Sequence, residues 1–351
     1  MITKLITFLF FCPLFFSISW AAHWINPKEL IGDPWVARLQ QGRKELTPEE
    51  KLDLKKYGYT GLELMTYADT HLYPGTKDND AVCRFIRVGA NGLISIKTWL
   101  ERDKYYYNNY RSLLTYSDIK PGDVRIKRVV IYLGPPNEWG LGLVWHRLLT
   151  SKEQTKLEDT WIWAPDLRKV RRSPSRPKGD NFIGSEMTRD DFSLYEPWEE
   201  YHRIIGEDTI NGQKCFIVES INYDPLYYLG KRLSWIEKDN FLTLHEEQFD
   251  RQGKLWKVIE NRWRQIKPWN YWVREEWNGL NIITNSRTIV QLYDWIFDQG
   301  IRDDFFVPSQ IIKQYQWRLP KGGSIPPIND ASDLPEKPSP RSPILAIKTH
   351  K

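Results

Sequence analysis

The chain is poor in the residues that most often announce chemistry. Its 351 residues include 3 Cys and 3 Met. The six histidines (positions 23, 71, 146, 202, 245 and 350) stand far apart, with no HxH or HxxxH pair. Two cysteines without neighbouring histidine do not make a zinc site, so neither a metal nor a resident cofactor has support. No Gly-x-Ser-x-Gly elbow surrounds Ser185, and no glycine-rich phosphate loop occurs. Charge of one sign is also lacking. Fifty basic residues face 45 acidic ones, for a net charge of +5. That is a mixed surface, not the basic field of a dedicated nucleic-acid binder. After the first 22 residues no apolar run approaches the ~20 needed to cross a bilayer.

Aromatic residues, by contrast, are abundant: 17 Trp, 18 Tyr and 14 Phe make up 14% of the chain. Strands accept such side chains well, whereas helical repeats and coiled coils are rich in Ala, Leu, Glu and Lys. The first residues read as an address. Lys4 precedes the apolar run Leu5 to Phe16, and Ser19-Trp20-Ala21 offers a cleavage site, so residues 1–21 are expected to be a removed secretory signal. The mature chain is then exported, to the periplasm. Export leaves Cys83 and Cys215, which either pair in an oxidising compartment or remain buried thiols within strands.

Residues 22–80 form a less regular lead-in. Thr47-Pro48-Glu49-Glu50 has the form of a capping box with proline in the first turn, predicting a surface helix to Tyr57 that ends at Gly58. From Ala81 the hydrophobic pattern changes to period two. Strands are expected over 81–88, 93–100, 124–132, 142–149 and 160–164. After residue 200 they resume over 201–205, 215–220, 231–238, 242–249, 254–264 and 282–292, with Gly, Asn or Asp at the turns. The predicted fold is mainly β: one large, curved antiparallel sheet or incomplete barrel over 81–319. Two segments interrupt it: the basic, then Gly- and Asp-rich stretch 166–192, and a short helix over 303–313. Residues 320–351 are rich in Pro, Ser and Lys and are expected to be disordered or extended.

The stretch Asp159-Thr-Trp-Ile-Trp-Ala-Pro-Asp-Leu-Arg-Lys-Val-Arg-Arg172, followed by Asp180-Asn-Phe-Ile-Gly-Ser-Glu-Met-Thr-Arg-Asp-Asp-Phe192, resembles the bacterial outer-membrane lipoprotein-sorting (LolA-like) proteins. The similarity is to the longer branch encoded beside RND-type exporters. Further matches follow at Ile205-Gly206-Glu207-Asp208, Asn211-Gly212, Trp235-Ile236-Glu237-Lys238 and Asp304-Phe305-Phe306, so the resemblance covers about Ser117 to Ile312. Ala164 departs from the family's aromatic, and Glu186-Met187 from its Asp-Phe. The resemblance implies a half β-barrel with short helices across its open side. Between them would lie an apolar cavity holding the acyl chains of a lipid or lipoprotein, with an inner-membrane exporter as partner and transient contact with a membrane surface.

Trp161 and Trp163 share one face of their strand, with Thr160 and Ile162 on the other. With Leu233, Trp235, Trp256 and Val258 they are the candidate cavity liners; otherwise these tryptophans fill core. Arg168, Lys169, Arg171 and Arg172 form the densest charge run. They either pair with Asp190 and Asp191 to fix the loop over the barrel mouth, contact an anionic headgroup or membrane surface, or are solvated. Gly184 and Ser185 mark a tight bend before Thr188 to Asp191, which fits a capping box; this segment is a candidate lid. Adjacent carboxylate pairs (Glu199/Glu200, Glu246/Glu247, Glu275/Glu276) point to opposite faces of a strand and cannot converge for glycoside chemistry. Binding, not catalysis, is the expected activity. A lipid carrier should enclose its tryptophans, a glycan-binding envelope protein should expose a flat row of them, and a purely structural protein should have a filled core.

Overall fold

The computed structural model describes residues 45–72, 76–106, 122–148, 156, 158–174, 177–193, 196–316 and 326–342. The expected signal segment, with Cys12, lies outside the described residues. Helix α1 (Pro48–Tyr57) starts on the predicted box: the Glu50 backbone donates to Thr47 Oγ1 at 3.2 Å, and the Thr47 backbone donates back to the Glu50 carboxylate at 2.8 Å. Helix α2 (Gly61–Leu72), which the sequence reading did not single out, begins with a second such box, Thr60 to Glu63.

Thirteen strands follow, all antiparallel to their neighbours. They are β1 (Asp78–Val88), β2 (Ile94–Tyr105), β3 (Val124–Gly134), β4 (Gly142–Leu148), β5 (Glu158–Ala164), β6 (Lys169–Ser173), β7 (Glu200–Ile210), β8 (Gln213–Asn222), β9 (Leu229–Glu237), β10 (Thr243–Asp250), β11 (Leu255–Ile266), β12 (Tyr271–Asn281) and β13 (Arg287–Phe297). They form one open sheet in the order β6-β5-β4-β3-β2-β1-β13-β12-β11-β10-β9-β8-β7. Two meanders, β1 to β6 and β7 to β13, are therefore joined along β1 and β13, with Cys83 opposite Leu292 and Phe85 opposite Val290. β6 falls within the predicted interruption at 166–192. The last predicted strand lies further on than expected, because residues 282–286 form the turn between β12 and β13.

An open sheet has two faces to cover. On one, α2 packs Leu64, Met65, Tyr67 and Ala68 against Ile204, Phe216, Val218 and Ile236 of β7, β8 and β9, with Tyr57 of α1 beside them. A short helix α3 (Arg189–Ser193) and the loop before it cover the centre of the same face, hereafter the lid face. On the opposite face, the 3₁₀ turns Asp303–Phe306 and Pro308–Gln316 lay Phe306 and Ile311 over Val82, Leu100, Val129 and Val144. Residues 326–342 take the extended one of the two forms expected for the Pro-rich tail and lie as a strap across this second face. Arg287 donates to the Pro335 carbonyl at 2.7 Å, Asn278 to the Glu336 carbonyl at 2.8 Å, and Arg341 to the Thr209 carbonyl at 2.9 Å. Arg84 holds the strap's other end through the Pro326 carbonyl. Where prolines remove its amide protons, sheet side chains donate to its carbonyls; at its far end the strap donates instead, from the Arg341 guanidinium to Thr209 and from the Ser342 amide to Glu247 at 2.9 Å.

Cys83 and Cys215 are both buried thiols and sit in cores on opposite faces of the sheet. Cα separations beyond about 7 Å and diverging side chains forbid a disulfide, which removes the pairing considered from sequence. Burial pushes the Cys83 thiol well above its ordinary range and Cys215 up to about 11. Iodoacetamide should therefore label neither cysteine in the native protein and both after unfolding without reductant; failure to label the unfolded chain would reveal a bond.

A lidded cavity on the sheet

The segment from Asp180 to Ser193 is short, yet it is held at every level. Asn181 and Thr188 form an antiparallel bridge, and the Phe182 amide donates to the Met187 carbonyl at 2.8 Å. Ile183 and Gly184 bend the chain with φ of 51° and 67°, a left-handed region that glycine enters without strain. The Ser185 hydroxyl accepts from the Met187 amide at 3.1 Å. Met187 itself is fully buried against Gly279 of β12, where a Cβ would lie 2.6 Å from the Met187 methyl carbon. Glycine at 279 is thus the seat of the lid. The predicted capping box closes: the Thr188 amide donates to Asp191 at 2.7 Å and the Asp191 amide to Thr188 at 3.3 Å.

Beneath the lid lies a cavity of about 70 Å³. Trp99, Val130, Trp277 and Val290 form its floor on the central strands, and Phe182, Ile183 and Phe192 its roof. Within the roof Phe182 packs on Phe192 at 4.4 Å, and Phe192 ties the roof to the floor through Trp277 at 5.8 Å between ring centres. One end is polar. There Arg128 forks onto Asp103 at 2.6 and 2.7 Å, and Glu101 accepts from Trp99 Nε1 at 3.3 Å. Arg189 from the lid pairs with Glu158, which also receives the Trp145 indole. Burial raises the Glu101 carboxyl above its usual range. The cavity is amphipathic: an apolar trough ending in paired charges.

The lid is locked by its own acids, but not by the arginines suspected from sequence. Asp191 accepts from Lys257 Nζ at 2.5 Å and from Gln248 Nε2 at 2.7 Å. Burial by itself would raise the Asp191 carboxyl, but the Lys257 ammonium and the hydrogen bonds from Lys257, Gln248 and Thr188 hold it below the usual range. Asp190 accepts from the Tyr227 hydroxyl, and burial raises its carboxyl. Arg172 pairs with Asp159 across β5 and β6, while Arg168 and Arg171 are exposed. The reason is topological: β6 is the edge of the sheet, and the charge run lies along that edge, away from the foot of the lid.

The cavity liners expected from sequence are also placed elsewhere. Trp161 and Trp163 do share a face, but it packs toward the 3₁₀ turns at 303–316, while Thr160 faces the cavity. Leu233, Trp235 and Val258 belong to the core of the strap face, where Trp235 Nε1 donates to Asp208 at 2.9 Å. Trp256 is half-buried, edge-on to Tyr228. Residues that do form the site and were missed include Trp99, Glu101, Arg128, Phe182, Phe192 and Trp277. A sequence signal existed for the roof: with Met187, Phe182, Ile183 and Phe192 are the apolar residues of an otherwise polar loop.

Breaking the Asp191–Lys257 pair should release the lid. Asp191→Asn leaves a buried ammonium without its counter-charge, a loss of about 3–5 kcal/mol. Limited proteolysis should then cut within 180–193, whereas Arg171→Ala with Arg172→Ala should leave the lid intact. Equal protease sensitivity of the two variants would refute the assignment. The depressed Asp191 carboxyl contributes stability above its unfolded pKa of ~3.9, and that contribution is lost as pH falls through the lower folded value. Lid protection should accordingly persist from neutral pH to about pH 4 and fade below it.

Comparisons with known proteins agree with this architecture. A family model described as "Uncharacterized protein" matches residues 127–313, more than half of the chain. No curated protein matches the sequence. Among solved structures, a Vibrio parahaemolyticus domain described as outer membrane lipoprotein-sorting aligns with a TM-score of 0.59 at 23% identity, over 72% of this chain and 98% of its own. A DUF1329 family protein from Desulfovibrio piger gives 0.60 at 18% identity, over 76% and 100%. A LolA superfamily protein from Nitrosomonas europaea gives 0.50 at 12% identity, over 71% and 97%. The chain belongs to the family that the matching model describes, and its fold is that of the LolA-like lipoprotein-sorting proteins.

Proposed function

We propose that the protein is a periplasmic carrier that binds the acyl chain of a lipid or lipoprotein between the sheet and the lid. The observation that carries this reading is the apolar trough roofed by Phe182, Ile183 and Phe192. Small-molecule sites are concave, mostly apolar, and have a few placed polar groups. This trough has that form, and its polar end suits the junction between chain and headgroup. A volume of about 70 Å³ falls well short of the roughly 300–1,000 Å³ of a ligand site. The described state is therefore closed, and the lid must swing on its anchors for a chain to enter. The function is binding, not catalysis. The resemblance to proteins encoded beside RND-type exporters supplies the partner in this reading: an inner-membrane exporter that loads or unloads the carrier.

The glycan-binding alternative needs a flat, exposed row of tryptophans. Among the described residues only Trp139 and Trp269 are exposed, and they lie at opposite ends of the sheet. Trp99, Trp235 and Trp277 are enclosed.

Extraction and mass spectrometry of protein taken from the periplasm should release a bound amphiphile, and a fluorescent fatty acid should be taken up by the stripped protein. Val130→Phe, which adds bulk to the cavity floor, should weaken probe binding by roughly tenfold or more with only modest destabilisation. Trp235→Phe, on the other face, should leave binding unchanged. Empty protein that also ignores the probe would overturn the reading.

A further inference from the structure

The turns of an antiparallel meander alternate between its two ends, so every second hairpin shares an end. Here one end gathers the turns at 89–93, 135–141, 165–168, 223–228, 251–254 and 282–286. The registers confirm the grouping across the join: Val88 pairs with Arg287 and Lys257 with Asn281. Five of these six turns carry a large apolar side chain that is more than half exposed: Leu93, Trp139, Leu167, Leu226 and Ile283. Single exposed apolar residues need no explanation, but their placement here is not scattered. Hairpins sharing an end are two strands apart, so neighbouring tips repeat at roughly 10 Å. The described turns at the other end are 211–212, 238–242, 267–270 and 298–300; Trp269 is their one exposed large apolar side chain, Phe241 and Leu242 being buried.

The charges agree with the apolar tips. Exposed Arg168 and Lys169 follow Leu167, and exposed Arg251 and Lys254 occupy the one turn of the row without an apolar tip; these four cations outnumber the exposed acids of the row, Asp166 and Asp224. The lid meets the sheet at this same end. The Glu186 amide donates to Thr288 Oγ1 at 3.0 Å, Asn281 donates to the Glu186 carboxylate at 2.7 Å, and Gly184 lies beside the Arg87 guanidinium. Apolar side chains standing out of a polar rim with interspersed cations suit the interface of a bilayer that carries anionic headgroups.

We propose that this end of the sheet is a membrane-docking edge, whose hairpin tips enter the surface of an anionic lipid bilayer and set the lid tip against it. The proposal goes beyond the binding reading and does not depend on what fills the cavity.

Mature protein should co-sediment with phosphatidylcholine–phosphatidylglycerol vesicles and much less with pure phosphatidylcholine, and the binding should fall as salt rises. The combined variant Leu93→Ser, Trp139→Ser and Leu167→Ser alters exposed tips only. It should lose roughly tenfold or more of the vesicle affinity while fatty-acid probe uptake stays as in the parent. Arg168→Gln with Lys169→Gln should remove much of the preference for anionic vesicles, and Trp269→Ser, at the other end, should change nothing. Absence of vesicle binding by the parent protein would overturn the proposal and leave the edge to a protein surface. So would a triple variant that binds as well as its parent, or a Trp269→Ser loss as large as that of the triple. Loss of probe uptake with vesicle binding intact would count against the cavity reading alone.

Discussion

The pairing of β1 with β13 is the contact on which the rest depends. It joins residues more than 200 positions apart, Phe85 to Val290 and Cys83 to Leu292, and it converts two separate meanders into one sheet. The floor of the cavity exists only along this seam, because Cys83 and Trp99 come from one meander and Trp277 and Val290 from the other. Such non-local pairing carries loop-closure entropy before any contact rewards it. The seam is correspondingly apolar, with Ala81, Cys83, Phe85, Val290 and Leu292 all buried.

Once the sheet is joined, its size dictates its covers. Thirteen strands present more surface than two helices can bury, so each face recruits what the chain offers. α1 and α2 take one side of the lid face and the lid takes its centre, while the 3₁₀ turns at 303–316 and the strap share the opposite face. The covers differ in kind. The strap is held by its carbonyl groups accepting from sheet side chains and by Arg341 and Ser342 donating to the sheet, each a modest interaction. The lid is held by a buried carboxylate–ammonium pair and by a methionine pressed into the space above Gly279. A buried pair of this sort is weak evidence for net stability but strongly punishes the loss of either partner. That makes it a suitable latch: firm when complete, and abruptly weaker when broken.

Much of the sheet was legible in the sequence because period-two alternation and Asn-Gly or Asp-containing turns are local signals. β1, β3, β4, β8 and β9 stand nearly where that pattern puts them. The same alternation places Trp161 and Trp163 on one face but contains nothing that says which face meets the cavity. That choice is made by the lid and the 303–316 segment, which are distant in sequence. Capping boxes at Thr47 and Thr188 were readable for the same local reason. The partners of Asp190 and Asp191 were not: Lys257 and Tyr227 arrive from β11 and the β8–β9 loop, while the nearby arginines leave on an edge strand. For the tail, composition left disordered and extended chain both open, because the choice depends on whether a surface with matching hydrogen-bond groups lies beneath it.

The central claim is that ligand reaches the trough only when the lid moves. Cysteines introduced by Glu186→Cys and Thr288→Cys join the two positions whose amide and hydroxyl already lie 3.0 Å apart. Oxidised and reduced samples of this variant can be titrated side by side with a fluorescent fatty acid. The account predicts that the oxidised, locked protein excludes the probe and that reductant restores uptake to the parent level. Equal uptake by the locked and reduced forms would show that the trough under the lid is not the binding site.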